Sequence, residues 1–400
     1  MRKPLIRVAL AAGALLATGL AASTAGAASA APATQHGRHA VRVCTASGHA
    51  DVASCFAKVI VNAKGRVPSS STPPASGMTP TDLRTAYNLP SSITGHPTVA
   101  IVDAYGYPNL ESDLATYRSY FGLPACTTSN GCLKIMDQTG GTSLPRFDTN
   151  WAGEQALDVD AVSAICPDCH IVMVQAKTAS FANLGTAVNT AAAQPGVVAV
   201  SNSYGGGDAA DSSYGKYYKH AGIAITASTG DNGYQGGSYP ASSSYVVAVG
   251  GTSLYRSSGY PESAWSGAGS GCSTYNPVFS AQSGVNTGCG SYRAMADVSA
   301  AADPNNGGMA VYFPTSKTKS TWAQVGGTSE SSPIIASVYA LAGTSYTGYA
   351  NALPYSHTSS LNDVTTGSNA TTCSPSQLCT SGSGWDGPTG LGTPNGTGAF

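Results

Sequence analysis

Thr98-Val99-Ala100-Ile101-Val102-Asp103 runs without a polar break between its opening threonine and its closing aspartate. A strand with one wet face alternates apolar and polar residues, so an uninterrupted run of this length is a strand covered on both faces. Working outward, 109–121 carries Leu110, Leu114, Tyr117 and Phe121 at helical spacing. The pattern then predicts a helix over 151–165, a strand over 170–175, a helix over 181–193 and a strand over 197–201. Residues 223–227 and 245–249 read as further strands. Continuously apolar strands separated by helices give an α/β fold, a doubly wound and mostly parallel sheet with helices on both faces. Functional groups in such sheets collect at the carboxyl ends of the strands.

The ends of the chain bound its class. Residues 1–7 are basic, 8–22 are almost wholly apolar, and Ala28-Ser29-Ala30 has the small residues of a cleavage site. Residues 1–30 are therefore expected to be a secretory signal peptide, with an apolar core too short to span a membrane. The product is expected to be extracellular, without membrane association after cleavage. Residues 31–77 are small, polar and proline-rich, with one hydrophobic piece at Ala57-Lys58-Val59-Ile60-Val61, and read as a short pro-region or linker. The main domain, 78–400, opens at Met78 on the capped helix start Thr79-Pro80-Thr81-Asp82-Leu83-Arg84.

The 10 cysteines agree with export and fall as near neighbours. Local disulfides are expected between Cys44 and Cys55, Cys126 and Cys132, Cys166 and Cys169, Cys272 and Cys289, and Cys373 and Cys379, although spacing alone leaves connectivity open. Neither a redox motif nor a zinc site fits Cys166-Pro167-Asp168-Cys169, which lacks a thioredoxin context and a second pair at finger spacing. Charged residues make up only 10% of the chain and the net charge is -1, which argues against nucleic acid and anionic membranes as partners.

Three short segments carry chemistry. In Gln324-Val325-Gly326-Gly327-Thr328-Ser329-Glu330-Ser331-Ser332-Pro333 a glycine turn leads into an apolar helical run, placing Ser329 beside helix N–H groups that favour developing negative charge. By itself this is equally an ordinary helix cap. Glu154 and Asp158, at i and i+4, share one helix face. Turned into a cleft, such a pair shares a proton and splits its titrations; turned outward, it is a solvated acidic face. Asp160 falls off that face and is expected to be solvated. Asp231, in Ser228-Thr229-Gly230-Asp231-Asn232-Gly233, follows a predicted strand directly. It is either a turn aspartate or, unionised, a hydrogen-bond donor to an oxyanion.

Taken in order, these segments resemble the sedolisins, serine-carboxyl peptidases that share the subtilisin fold. The likeness runs from about Met78 to the C-terminus. It includes Val198-Ala199-Val200-Ser201-Asn202-Ser203-Tyr204-Gly205, Val247-Ala248-Val249-Gly250-Gly251-Thr252, Trp265-Ser266-Gly267-Ala268-Gly269-Ser270-Gly271-Cys272-Ser273 and Ala296-Asp297-Val298-Ser299-Ala300-Ala301-Ala302-Asp303-Pro304. The resemblance implies a Ser329–Glu154–Asp158 triad. Ser329 is then the nucleophile, Glu154 the general base and acid, Asp158 its tuning partner, and Asp231 the oxyanion group. It also implies that Ser203 and Gly205 belong to a strand pairing with substrate backbone. In the C-terminal loop region it implies one calcium ion held by Asp363, Val364, Gly382, Gly384 and Asp386. The implied function is an acid-active endopeptidase acting on proteins or peptides; with the leader it is expected to be secreted, and a monomer is the default for a secreted protease.

Three departures stand out. Gly326 replaces a frequent serine, Glu330 sets a charge beside the nucleophile, and 31–77 is far shorter than the family's folded prosegment. The alternatives are a tripeptidyl-peptidase and a non-catalytic peptide-binding protein on the same fold. A neutral subtilisin-type enzyme, with Asp103 as its aspartate, is disfavoured because none of the 7 histidines opens a helix in a His-Gly-Thr context. Asp103 is then a structural or cleft residue.

Overall fold

The apolar run at 98–103 lies in the middle of an eight-stranded sheet of a computed structural model that describes residues 37–93 and 95–400. The expected signal peptide lies outside the described residues. In chain order the strands are β1 (His39–Arg42), β2 (Ser54–Cys55), β3 (Lys58–Val61), β4 (Thr98–Ala104), β5 (Leu133–Asp137) and β6 (His170–Ala176). They continue with β7 (Val197–Asn202), β8 (Tyr204–Gly207), β9 (Ala224–Ser228), β10 (Ser238–Tyr239), β11 (Val247–Leu254) and β12 (Glu262–Ala264). Next come β13 (Gly271–Pro277), β14 (Tyr292–Met295), β15 (Val298–Ala301), β16 (Met309–Ser316) and β17 (Lys319–Gly326), and last the short pair β18 (Leu361–Asn362) and β19 (Thr393–Pro394). The main sheet has the order β12-β11-β9-β7-β4-β6-β5, with β15 also on β11, and only β12 pairs antiparallel.

Alternate residues of β4 serve different layers. Val99 and Ile101 pack with Leu157 and Ile334, whereas Ala100 and Val102 pack with Phe181 and Leu184. Successive side chains of a strand point to opposite faces, so a strand with helices on both sides has no position for a polar residue. Helices Thr149–Ile165 and Thr328–Ala342 serve the first layer, and helix Phe181–Ala192 serves the second.

Helix Thr149–Ile165 starts at Asp148, whose side chain accepts from the backbone N–H groups of Asn150 and Trp151. Every residue from Trp151 to Ile165 is buried, because the β16–β17 hairpin covers the face turned away from the sheet. Contrary to the expectation from its helical position, Asp160 is not solvated: its Oδ2 accepts from Tyr312 N of β16 at 3.0 Å, and burial raises its pKa well above the usual range. Helical spacing identifies the face opposite the sheet but not whether a later strand covers it.

Residues 37–77 pack into the same compact unit as the rest of the described chain, which spans Gly37–Phe400. β3 adds to β17 with Val59 opposite Val325, β1 adds to β3, and β2 pairs with β8. All five expected disulfides are present. No helix among the described residues is long and apolar enough to cross a membrane.

Candidate active site

Three carboxyl ends of the sheet converge, as the topology requires. β4 delivers Asp103, the residue after β7 is Ser203, and Asp231 follows β9 by three positions. Opposite them, the chain leaves β17 through Gly327, which has φ 106°, and enters the helix that carries Ser329. A left-handed φ favours glycine. Space demands it as well, since a Cβ on Gly327 falls 2.0 Å from the Phe56 carbonyl oxygen and 2.7 Å from Asp231 Oδ2.

Pro333 lies inside the nucleophile helix. It has no N–H to donate back one turn, so the Ser329 carbonyl loses its helical partner. Ser203 Oγ supplies a replacement at 3.2 Å and lies 2.9 Å from Asp158 Oδ1. Ser203 thus ties the nucleophile helix to the carboxylate helix through its hydroxyl. Its carbonyl accepts from Ser329 Oγ at 3.1 Å.

Glu154 and Asp158 are wholly buried, one turn apart. Burial pushes Glu154 well above the usual carboxylate range, and Asp158 raises it further; the Ser329 hydroxyl and the Ala57 N–H pull it back. Ser329 lies close enough to Glu154 to exert that pull, although in this rotamer its hydroxyl is directed to Ser203. Asp158 is raised by burial and relieved only by Ser203. Asp103 is raised by burial and then by Asp158 and Glu154, and neither of its oxygens has a hydrogen-bond partner among the described residues. The sequence leaves Asp103 as a structural or cleft residue; the fold makes it the third carboxyl of a buried row.

Asp231 completes the site. Its Oδ1 accepts from Thr328 N at 2.8 Å and Thr328 Oγ1 at 2.9 Å, while Oδ2 is buried without a donor. Burial pushes its pKa up to about 6 against the opposing pull of Lys58, the two Thr328 contacts and Arg42. An unpaired carboxyl oxygen beside a carbonyl oxygen is satisfied when it carries the proton and donates. Glu330, which its place in the sequence sets as a charge beside the nucleophile, is instead held away from solvent. It is fully buried, and burial raises its pKa well above the usual range.

The cleft contains the chain's own residues. Phe56 N donates to Ser329 Oγ at 3.1 Å and to the Ser203 carbonyl at 3.3 Å, and Ala57 N donates to Glu154 Oε2 at 3.0 Å. Lys58 Nζ reaches the Asp231 carbonyl at 2.9 Å. On the other side of Phe56, Ser54 and Cys55 pair with Gly205 and Tyr204, and Ala53 N donates to the Ala179 carbonyl at 2.8 Å. The Phe56 ring lies against Gly205, where a Cβ meets two ring carbons at 2.8 Å. Beside it is a cleft of about 480 Å³ whose lining includes Arg42, Gly205, Asp231 and Ser238. The sequence pattern assigns 57–61 to a short pro-region or linker. The hydrophobic piece and the Cys44/Cys55 pair were visible signals, but neither says which surface they cover.

The C-terminal loops bring the expected calcium residues together. Gly384 N donates to Asp363 Oδ2 at 2.8 Å and Gly382 N to Asp386 Oδ2 at 3.2 Å, with buried Val364 following Asp363. Asp386 also accepts from Ser381 and Thr389, yet burial still pushes its pKa up to about 6. No group of three or more His, Cys, Asp or Glu residues able to hold a metal occurs among the described residues. Two carboxylates supplemented by backbone carbonyls remain a hard, all-oxygen donor set, and a buried carboxylate without a counter-charge fits a cation.

No protein-family model matches the chain. It is 29% identical over 357 residues to kumamolisin from Bacillus sp. (strain MN-32), covering 80% of this chain and 62% of that protein. It is 26% identical over 370 residues to sedolisin from Pseudomonas sp. (strain 101), covering 80% and 60%. The chain thus spans about three-fifths of the length of these curated relatives. Among solved structures it resembles Pseudomonas sedolisin, a serine-carboxyl proteinase complexed with two molecules of pseudo-iodotyrostatin. That likeness has a TM-score of 0.65 and 25% identity, and covers 80% of this chain and 96% of the other. Sphericase, at TM-score 0.51 and 15% identity, shares the fold.

Proposed function

We propose, from the premise that this chain belongs to the sedolisin family of subtilisin-like fold, that it is a secreted serine-carboxyl endopeptidase active in acid. The observation that carries this reading is the convergence of Ser329, Glu154 and Asp231 on the backbone of Phe56 and Ala57, with Asp158 behind Glu154. Ser329 Oγ attacks the peptide carbonyl while Glu154 takes its proton. Glu154 then returns the proton to the leaving nitrogen, the atom that Ala57 N occupies here. Asp158 disfavours a second negative charge and so helps set the proton affinity of Glu154. Asp231, protonated, donates to the oxyanion, as a preorganised group in a dry site must. Water repeats the sequence on the acyl-enzyme and restores Ser329.

Action within chains, rather than removal of N-terminal tripeptides, is supported by the acyl side of the cleft. The strand there continues past the third residue from Phe56, through Val52 opposite Ser180 to Asp51, whose carbonyl accepts from Phe181 N. The N-terminal 1–30 is proposed as the signal peptide and 31–77 as the pro-region, with 78–400 as the peptidase body. One calcium ion, bound by Asp363 and Asp386 with carbonyls around Val364, Gly382 and Gly384, would neutralise two carboxylates and pin the C-terminal loops. It takes no part in the chemistry.

The test is hydrolysis of denatured protein from acid to neutral pH by the full chain and by Ser329→Ala. An acid maximum that disappears in the variant is expected. Full activity in Ser329→Ala, or wild-type activity confined to alkaline pH, would overturn the proposal.

A further inference from the structure

A carboxyl donor serves an oxyanion only when its proton sits on the oxygen that faces the reacting carbonyl. Oδ2 is that oxygen in Asp231. A Cβ on Gly327 would meet both Asp231 Oδ2, at 2.7 Å, and a peptide carbonyl oxygen, that of Phe56, at 2.0 Å, so the two oxygens border one small volume. Oδ2 is buried and has no hydrogen-bond partner among the described residues. Nothing in an isolated carboxyl prefers one of its oxygens for the proton. The preference has to come from what surrounds Oδ1.

Thr328 supplies it. Its backbone N–H donates to Oδ1 at 2.8 Å, and its hydroxyl lies 2.9 Å from the same oxygen. The hydroxyl oxygen also accepts from Gly230 N at 3.1 Å, which leaves its single hydrogen to donate to Oδ1. The side chain has little freedom to turn elsewhere. Thr328 is wholly buried, its Cγ2 lies 3.3 Å from where a Cβ on Gly251 would stand, and its carbonyl accepts from the Ser228 hydroxyl at 2.7 Å. An oxygen that already accepts from two donors is a poor place for a further hydrogen. Oδ2, facing a carbonyl oxygen, gains a partner when it is protonated.

We infer that Thr328 is a positioning residue for the reaction: by filling Oδ1 with two donors it confines the Asp231 proton to Oδ2, the oxygen that meets the developing oxyanion. This rests on the peptidase reading above and gives the threonine a task that starting a helix does not require. No bond is made or broken at Asp231. The Oδ2–H donates to the oxyanion and stays on Asp231 when the tetrahedral intermediate collapses. The same two hydrogen bonds favour the ionised carboxylate, so removing the hydroxyl should carry the loss of the proton to higher pH. Asp231 also faces Lys58 of β3 and Arg42 of β1, whose charges oppose burial, and Glu154 of helix Thr149–Ile165, whose proton affinity Asp231 raises. These groups are the same in every Thr328 variant.

The experiment measures kcat and KM against pH for the full chain and its Thr328 variants, on a peptide that the wild type cuts. Thr328→Val keeps the shape and the backbone N–H but loses the hydroxyl. Its kcat should fall about tenfold, between the roughly twofold of a proton shared by two oxygens and the 10²–10³ of a lost donor. KM should change less than about twofold, and the alkaline limb should rise by about one pH unit. Thr328→Ser should restore the limb and most of kcat. Thr328→Ala, with room for a water at the Gly230 N–H, should repeat the upward limb and keeps the test open if Thr328→Val does not fold. In Asp231→Asn, which has no proton to place, adding Thr328→Val should move the limb no further. Ser228→Ala removes a buried hydrogen bond from the same segment without touching Asp231, and should lower the melting temperature while leaving the limb in place. An unmoved limb in Thr328→Val and Thr328→Ala, or an equal shift in the Asp231→Asn background or in Ser228→Ala, overturns the inference while the peptidase reading stands. If the wild type cuts no peptide or protein at any pH, the peptidase reading fails and the inference falls with it.

Discussion

Two buried acidic sites in this protein are built on opposite principles. Asp297, fully buried, faces Arg293 through contacts of 2.5 and 2.9 Å and also accepts from Ala248 N and the Tyr355 hydroxyl, both at 2.8 Å. Burial raises its pKa, but the adjoining guanidinium, always charged, pulls it back. The cleft buries Asp103, Glu154, Asp158 and Asp231 as deeply, and each keeps at least one oxygen without a donor. Equal burial thus yields an ion pair in one place and proton-holding carboxyls in the other. What differs is the supply of donors and positive charge, and with it whether the group serves stability or chemistry.

The contrast is tested hardest at Glu154. Glu154→Ala should lower kcat/KM by up to about 10⁴-fold, the upper range for a lost general acid and base, while leaving the melting temperature unchanged or raised. A large stability loss there would erase the distinction. Arg293→Met should do the reverse. Leaving Asp297 buried without its partner costs roughly 3–5 kcal/mol, read by urea unfolding, while turnover per folded molecule is kept.

Asp231 sharpens the comparison through pH. Its proton is the donor, and a pKa raised to about 6 means the donor is present below that pH and lost as pH rises through it. Lys58 and Arg42 pull this pKa down, while Asp231 in turn raises the affinity of Glu154 for a proton. Asp231→Ala should cost about 10²–10³ in kcat, the usual effect of removing an oxyanion donor. Asp231→Asn keeps an acceptor for Thr328 and an N–H for the oxyanion, so its alkaline limb in kcat/KM against pH should move upward. An unchanged limb would assign the proton elsewhere in the row.

The C-terminal loops lie between the two extremes, with donors for Asp363 and Asp386 but no ion pair to either among the described residues. Calcium present at 100 times its Kd would add about 2.7 kcal/mol by mass action. Chelation should therefore lower the melting temperature, and Asp386→Ala should abolish that sensitivity. Equal melting with and without chelator, and no calcium in the purified protein, would leave these loops to hydrogen bonds alone.

The pattern of the chain by itself determined the layered fold, because strand and helix periodicities are local and a buried parallel strand must be apolar on both sides. Helix phase put Glu154 and Asp158 on one face, and the glycine turn put Ser329 at a helix start. Near-neighbour cysteines indicated their own pairing, since short separations keep partners close in any compact fold. Tertiary structure alone decided what covers what. It buried Asp160 and Glu330 beneath β16, joined Asp103 to the carboxyl row and gave the Ser329 carbonyl to Ser203 after Pro333 removed its helical partner. It also laid Phe56–Ala57 across the nucleophile, 273 residues away in sequence. Such contacts depend on which distant surface is left open when the sheet closes, and no local period or spacing encodes that.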